Sequence, residues 1–421
     1  MPSTPTDRRP GGTARGPAGR AAVPPFEVMR VLDRVAQLRA AGRDVISLCA
    51  GEPSGGAPAD VHRRAAAAHA AGHELGYTVA LGTHELRAAI AGHYRRWYGL
   101  DVAPEQVAVA TGSSGAFMLA FLAAFEAGDR VALARPGYPA YRNILTALGC
   151  EVVELDCGPA ERFQPTPRLL DEAVAAGGPL AGLVVASPAN PTGTMVSRAE
   201  LDALARWCAA AGTRLVSDEI YHGITYPDDP QAPDARGVCA WACDRDAIVV
   251  SSFSKYWGMT GWRLGWALMP DDLAPAFDAL AGNIALCPPT PAQVAALGAF
   301  TDAAYAEADR RVAGFARTRA LLLDALDRLG WGTVAPADGA FYLYAELGDR
   351  LGPFPDATAW CAALLEEAGV ALVPGRDFDA ARGDRYVRLS FAAGADAVAA
   401  AIERIVAFQA ARCVAPPGDR A

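Results

Sequence analysis

Three observations predict an α/β fold, with a large, mostly parallel sheet between helices and a smaller α+β unit after it. From about residue 60 to 290, short β-branched runs alternate with Ala/Leu-rich stretches of helical character. Most of those runs are apolar at nearly every position, as strands covered on both faces must be. After about residue 290 the rhythm changes to one long helical stretch, a few short strands and a closing helix. At 421 residues the chain is long enough for two or so domains.

The strand candidates of the first unit are Val107–Ala110, Arg130–Ala134, Glu151–Leu155, Gly182–Ala186, Arg214–Ser217, Ile248–Ser251 and Leu264–Leu268. Helices between several of them imply crossovers in a layered α/β unit with a seven-stranded sheet. In the second unit an Ala/Arg-rich helix runs to about Leu329, and a strand pair is expected near Thr333–Ala345. A helix over Ala357–Ala368, strands at Ala371–Val373 and Tyr386–Phe391, and a helix over Ala395–Ala410 follow. The amphipathic segment Phe26–Ala41 ends in Gly42 and is expected to join this smaller unit. The implied division is a tail over 1–22, a joining segment over 23–60, a large unit over 61–290, a small unit over 291–412 and a tail over 413–421.

Composition narrows the function classes. A formal charge of −9 argues against a nucleic-acid surface. The nine cysteines are scattered, and Cys239 and Cys243 have no second pair at zinc-site spacing, so reduced core thiols and no metal site are expected. Arg8 and Arg9 are followed by no apolar segment, which argues against a signal peptide. The run from Phe117 to Phe125 is far short of the ~20 residues a membrane span needs. A soluble, cytoplasmic protein is the expectation.

Among 38 basic side chains there is one lysine, Lys255, in Ser252-Phe253-Ser254-Lys255-Tyr256-Trp257-Gly258-Met259-Thr260-Gly261-Trp262-Arg263. Arginine replaces a lysine that supplies only charge, but it cannot give up its proton. A lone lysine in an arginine-rich chain is either a leftover surface residue or an amine kept for covalent chemistry with a carbonyl. Its neighbours at the strand ends favour the second. Thr111-Gly112-Ser113-Ser114-Gly115 follows the first strand and is either a Ser N-cap or a phosphate cradle built on a helix N-terminus. Ser187-Pro188-Ala189-Asn190-Pro191-Thr192-Gly193 follows the fourth; it is a plain turn or a fixed amide that donates to a ring oxygen. Asp218, at the end of the fifth strand, is a helix cap or a partner for a pyridinium proton, with Tyr221 three residues on. Arg263, eight residues past the lysine, offers a phosphate grip and a like charge that lowers the amine's pKa. Arg388, in Val387-Arg388-Leu389-Ser390-Phe391, marks an exposed strand face or a bidentate fork for a carboxylate.

The ordered set Ser-Pro-Ala-Asn-Pro-Thr-Gly, Asp-Glu-Ile-Tyr, Ser-Phe-Ser-Lys-x-x-x-Met-x-Gly-Trp-Arg-x-Gly-Trp and Arg-Leu-Ser-Phe-Ala resembles the class I/II aminotransferases from about Phe26 to Ala410. These are fold-type-I enzymes that use pyridoxal 5′-phosphate. The resemblance implies that Lys255 carries the cofactor as a Schiff base and is the catalytic amine. Asp218 would keep the ring nitrogen protonated, and Asn190 and Tyr221 would bond the ring hydroxyl. Arg263, Ser252, Gly112, Ser113 and Ser114 would hold the phosphate, and Tyr138 of Pro136-Gly137-Tyr138-Pro139 would stack on the ring. Arg388 would bind the substrate α-carboxylate, helped by Gly51, with Asn190 and Tyr138 also at the substrate. Tyr77, in Gly76-Tyr77-Thr78, would reach the phosphate of a neighbouring subunit, which implies a homodimer with shared sites.

The implied reaction moves an amino group from an amino acid to a 2-oxo acid in a ping-pong cycle. Dicarboxylate-specific relatives place a second cation near Ser114 or in the partner's stretch Asn283-Ile284-Ala285-Leu286-Cys287-Pro288-Pro289. Neither 112–129 nor 283–289 contains one, so a neutral donor is expected. A lyase, oxidase or cyclising enzyme with the same cofactor would use the same residues. A transcriptional sensor would need an N-terminal winged helix, and a nicotinamide dehydrogenase or methyltransferase would leave Lys255, Asp218 and Tyr221 without a role.

Overall fold

The computed structural model describes residues 16–412. The expectations for residues 1–15 and for the tail over 413–421 lie outside the described residues. Of the rest of the N-terminal tail, Gly19–Ala21 closes one exposed 3-10 turn.

A short strand β1 (Ile46–Ser47) precedes the main sheet. The strands of that sheet are β2 (Val107–Ala110), β3 (Arg130–Arg135), β4 (Glu151–Asp156), β5 (Gly182–Ala186), β6 (Arg214–Asp218), β7 (Ile248–Ser252) and β8 (Gly265–Leu268). Their order is β2-β8-β7-β6-β5-β3-β4. All neighbours are parallel except β8, which runs antiparallel to both β2 and β7. Both faces are covered. Leu183 and Val185 enter one core while Val184 enters another, and Ala132 and Val131 divide the same way. Strand side chains alternate between faces, so an apolar residue at every position is the signature of a strand buried on both sides.

Register places the site. Ala186 lies beside Asp218, and Asp218 beside Val250, so β5, β6 and β7 end along one edge. In parallel sheets the carboxyl edge is where ligands bind. The segments after these ends carry Asn190, Tyr221 and Lys255.

The remaining strands are β9 (Tyr342–Glu346), β10 (Val370–Ala371), β11 (Val373–Pro374) and β12 (Tyr386–Ser390). β11-β12-β9 form an antiparallel sheet, and β1 pairs in parallel with β10. The strand pair expected near Thr333–Ala345 forms only in part. Gly332 N donates to Glu346 O, Glu346 N to Thr333 O and Ala335 N to Tyr344 O, with one bridge between Val334 and Ala345, while β9 takes β12 on its other side. Pro336 has no N–H for a ladder, and Ala337 and Ala340 adopt φ of 53 and 55, which a strand cannot contain. That loop crosses instead to the large sheet's turns, where Gly339 N donates to Gly193 O and Ala340 N to Ile224 O. The helix expected over Ala357–Ala368 is α-helical only to Ala363 and continues as a π-turn over Leu364–Ala368.

The N-terminal helix, Glu27–Ala40, buries Val35 and Leu38 against Val373, Tyr344 and Phe378. No helix among the described residues is long and apolar enough to cross a membrane.

Candidate active site

A cavity of ≈ 410 Å³ opens at the carboxyl edge of the large sheet, roofed by β9, β12 and the helix Glu27–Ala40. Ten of the residues singled out in the sequence line it: Gly51, Ser113, Ser114, Tyr138, Asn190, Asp218, Tyr221, Lys255, Arg263 and Arg388. Gly112, Ser252 and Tyr77 do not.

Lys255 is half-buried, and its Nζ donates to the carbonyl of Gly51. Its pKa is lowered to about 8, first by burial, then by the charge of Arg388, with Arg263 a smaller contributor; Glu52 and Asp218 oppose the shift. The sequence reading gave that role to Arg263, so the structure corrects the order of causes. A like charge acts through proximity, and Arg388 comes from a part of the chain that sequence spacing does not bring near.

Asp218 is not a helix cap. One carboxylate oxygen accepts from Ile220 N at 3.0 Å and the other from the phenol of Tyr141. Burial pushes its pKa up to about 6, although both bonds and the Lys255 charge pull the other way. A cation placed against this carboxylate would recover the cost of its burial.

Arg388 is not on an exposed face: it is 4% exposed. Nη1 donates to Asn190 Oδ1 at 2.9 Å and Nη2 to Cys49 O at 2.9 Å, while Nε is buried with no hydrogen-bond partner. The guanidinium lies 4.5 Å from the ring centre of Tyr342 and 4.8 Å from that of Phe378. Its hydrogen-bond partners are neutral and the Asp377 carboxylate acts on it only through space, so an anion joining the fork would offset part of the cost of burying this cation. Because Oδ1 of Asn190 is engaged, its Nδ2 is the end left to donate into the cavity.

At the other end, the helix Gly112–Ala124 begins with Thr111 at its N-cap, whose side chain makes no capping bond. The Ser N-cap alternative therefore fails, and Ser113 and Ser114 of the first turn line the cavity. Arg263 sits at φ 52, donates Nη1 to Thr260 O at 2.9 Å, and packs on Gly112. Gly112 is at φ +70, and a Cβ there would lie 2.5 Å from Arg263 Nη2, so only glycine allows this approach. Ser252 is buried and pairs with Gly265; its Oγ accepts from Ser254 N at 2.8 Å, and of these two serines Ser254 lines the cavity.

Tyr221 and Tyr342 place their hydroxyls 2.8 Å apart. Tyr138 stacks on Phe26, with centroids 6.1 Å apart and 13° between planes. Tyr77 is 85% exposed.

Sequence reasoning missed Tyr141, Tyr342, Glu52, Thr260 and the apolar wall of Val28, Met29, Leu32, Phe117 and Ile144. Tyr141 was open to inference, since it lies three residues after Tyr138 at a helix start, on the same face. Nothing local marks Tyr342. The arrangement suits a ligand with an anionic group at Arg263 and the helix start, a protonated ring nitrogen at Asp218 and a carbonyl at Lys255, beside a carboxylate bound by Arg388.

The family profile described as aminotransferase class I and II matches residues 43–405. The valine–pyruvate aminotransferase of Mycobacterium tuberculosis is 54% identical over 386 residues, 92% of this chain and 96% of its own length. The aspartate/prephenate aminotransferase of Thermus thermophilus is 36% identical over 91% of this chain and 96% of its own. Among solved structures, an aminotransferase from Mycobacterium tuberculosis superposes with a TM-score of 0.90 at 52% identity, covering 95% of this chain and all of its own. The aspartate aminotransferase of Thermus thermophilus, solved with maleate, gives 0.85 at 33% identity over 94% of this chain and all of its own.

Proposed function

The chain belongs to the class I and II aminotransferases, pyridoxal-5′-phosphate enzymes that move an amino group between an amino acid and a 2-oxo acid, and from that premise we propose that its amino donor is neutral. The observation that carries this is the cation inventory of the cavity. Lys255, Arg263 and Arg388 are its only basic lining residues among those described, and Glu52 adds a negative charge. With the amine for chemistry, one guanidinium for phosphate and one for an α-carboxylate, no cation is left for a second carboxylate. Burying one unpaired costs several kcal/mol, more than a factor of about ten in kcat/KM. The wall of Val28, Met29, Leu32, Phe117 and Ile144 suits an aliphatic side chain instead. The 54% identical relative named as a valine–pyruvate enzyme supports the same reading.

We assign the cavity residues as follows. Asn190 and Tyr221 hold the ring hydroxyl, Tyr138 the ring face, and Arg263 with Ser113 and Ser114 the phosphate, supported by Ser252 and the backbone of Gly112 from behind the lining. When bound, the cofactor supplies an aldehyde for the donor's amino group and a ring that withdraws electrons from its Cα. Lys255 Nζ takes the Cα proton; with a pKa near 8 it is neutral often enough at working pH to act as the base. Asp218, steadied by Tyr141, is the counter-charge for a protonated ring nitrogen. Arg388, with Asn190 and Gly51 beside it, binds the α-carboxylate and orients the Cα. A single carboxylate fork admits one substrate at a time, so donor and acceptor alternate in a ping-pong cycle.

The same reading divides the chain into a cofactor unit over 61–290 and a smaller unit over 23–60 and 291–412. It places the protein in the cytoplasm, in keeping with free thiols at all eight described cysteines. It also makes the enzyme a homodimer with shared sites. Tyr77, Val79, Leu122, Ile284 and Leu286 are exposed, and a surface cavity of ≈ 310 Å³ lined by Ala80, Met118, Leu119, Ile284 and Cys287 lies among them. A second copy would cover this face and receive Tyr77 at its own phosphate.

A donor panel tests the central claim. Alanine, valine, leucine, methionine and phenylalanine are compared with aspartate and glutamate, with pyruvate or 2-oxoglutarate as acceptor. At least one neutral donor should exceed both acidic ones in kcat/KM by about tenfold or more. An acidic donor that outperforms every neutral one overturns it.

A further inference from the structure

The helix Glu27–Ala40 has no cap of its own. Phe26 occupies the N-cap position and makes no side-chain capping bond, although the first N–H groups of a helix lack partners within it. The acceptor comes from the other end of the chain: Glu27 N donates to Asp377 Oδ1 at 3.4 Å. Burial raises the pKa of that carboxyl, and the amides of Glu27 and Val28, with the charge of Arg388, oppose the rise. Asp377 ends the 3-10 turn Gly375–Asp377 and is 8% exposed, and its Oδ2 is buried without a hydrogen-bond partner. A half-satisfied buried carboxylate is unfavourable unless its charge is used, and the positive end of a helix is such a use.

The same helix carries Val28, Met29 and Leu32 into the wall of the active cavity. Phe378, the next residue after Asp377, lies under the Arg388 guanidinium, and its carbonyl accepts from Gly137 N at 3.0 Å. Tyr138 follows Gly137 and stacks on Phe26. Asp377 therefore stands where the carboxylate fork, the ring-stacking tyrosine and the apolar wall meet.

We propose that Asp377 is a positioning residue for donor selection: by capping the helix Glu27–Ala40 it fixes Val28, Met29 and Leu32 against the donor's side chain. The inference rests on the reading that the donor is neutral and lies along that wall. Asp377 does not line the cavity; it acts through the helix. The loss of its charge near Arg388 is common to Asp377→Ala and Asp377→Asn, so the difference between the two isolates the cap. Its effect grows with side-chain size, because alanine reaches the wall least.

Two measurements test it on full-length protein. Hydrogen exchange of the cofactor-free enzyme follows the first turns of the helix in the wild type, Asp377→Ala and Asp377→Asn. Alanine should speed exchange there by about tenfold, whereas asparagine keeps the Oδ1 acceptor and stays near the wild type. In steady-state assays Asp377→Ala should raise KM for valine and leucine by about tenfold while kcat, and KM for alanine, stay within about twofold; Asp377→Asn should restore the wild-type values. If Asp377→Ala does not fold, Glu27→Pro removes the donating N–H at a position that suits proline, and it must reproduce the size-selective rise in KM. Unchanged exchange, an equal loss for alanine and leucine, or a fall in kcat in place of a rise in KM overturns the proposal. A wild type that prefers aspartate instead sinks the neutral-donor reading, and the exchange result still decides the cap.

Discussion

The phenol oxygens of Tyr221 and Tyr342 lie 2.8 Å apart and join the turn after β6 to strand β9. One ring of the pair, Tyr342, also stacks beneath Arg388. If Tyr221 donates to the cofactor's ring oxygen, Tyr342 must donate to Tyr221. Tyr342→Phe then removes the hydroxyl and leaves the stacking surface. Loss of one buried hydrogen bond, about 1 kcal/mol, predicts a fall of about fivefold in kcat with the donor KM within about twofold. Tyr342→Leu should raise KM as well, because the cation–π contact to Arg388 goes with the ring. Equal effects of the two variants in steady-state kinetics would refute the division of roles.

Lys255 is the only lysine, so the covalent chemistry has a unique side-chain target. Lys255→Arg should abolish turnover while far-UV circular dichroism and size-exclusion elution match the wild type. Borohydride reduction of the holoenzyme followed by peptide mapping should label position 255 and no other side chain. Capture of pyridoxal phosphate by the cofactor-free protein should quicken as pH rises through about 8, where the amine loses its proton. Residual transamination in the arginine variant would contradict the assignment.

Asp218 makes the stability of the cofactor-free protein depend on pH. Its folded-state pKa is raised from 3.8 to about 6. The unfolded chain therefore gives up this proton first, and the buried neutral carboxyl favours the folded state most below about pH 4. That contribution is lost as pH rises through about 6. Two pKa units correspond to about 3 kcal/mol. Between pH 4 and 7, urea unfolding should show the wild type losing about that much relative to Asp218→Asn; the other carboxylates cancel in the comparison. Parallel pH profiles for the two proteins would show that the burial cost is absent.

Leu286, half-exposed at φ 61 beside Ile284, lies on the apolar face assigned to a second subunit. Leu286→Asp should shift sedimentation velocity from dimer to monomer at micromolar concentration. Cofactor affinity should fall with it, because Tyr77 of one copy would no longer reach the phosphate of the other. A monomeric wild type would remove the shared-site reading.

Much of the fold was legible because burial on both faces leaves a plain mark. β2 to β8 fall within a residue of the apolar runs that announce them, and Asp218 closes β6 while Asn190 and Lys255 follow the ends of β5 and β7, at the edge where parallel sheets bind ligands. What stayed hidden was the choice of distant partners. Tyr141 meets Asp218 across 77 positions, Tyr221 meets Tyr342 across 121, and Asp377 meets Glu27 across 350. No local period encodes such pairs. Arg388 was visible as a cation on a strand, but its burial and its priority over Arg263 at Lys255 depend on how β12 lies against the large sheet. The strand pair near Thr333–Ala345 is cut short because the loop between its two sides crosses to the large sheet's turns at Gly339 and Ala340.

The cap that Asp377 gives to Glu27 also has a bearing on biosynthesis. The helix Glu27–Ala40 cannot acquire this anchor until the chain has been made as far as Asp377, 350 residues after Glu27, and β1 waits almost as long for β10. Such sequence-distant closures are slow to form. That helix is therefore among the last elements to settle, and a nascent chain halted before residue 377 would expose Val28, Met29 and Leu32 to whatever apolar surface is nearby.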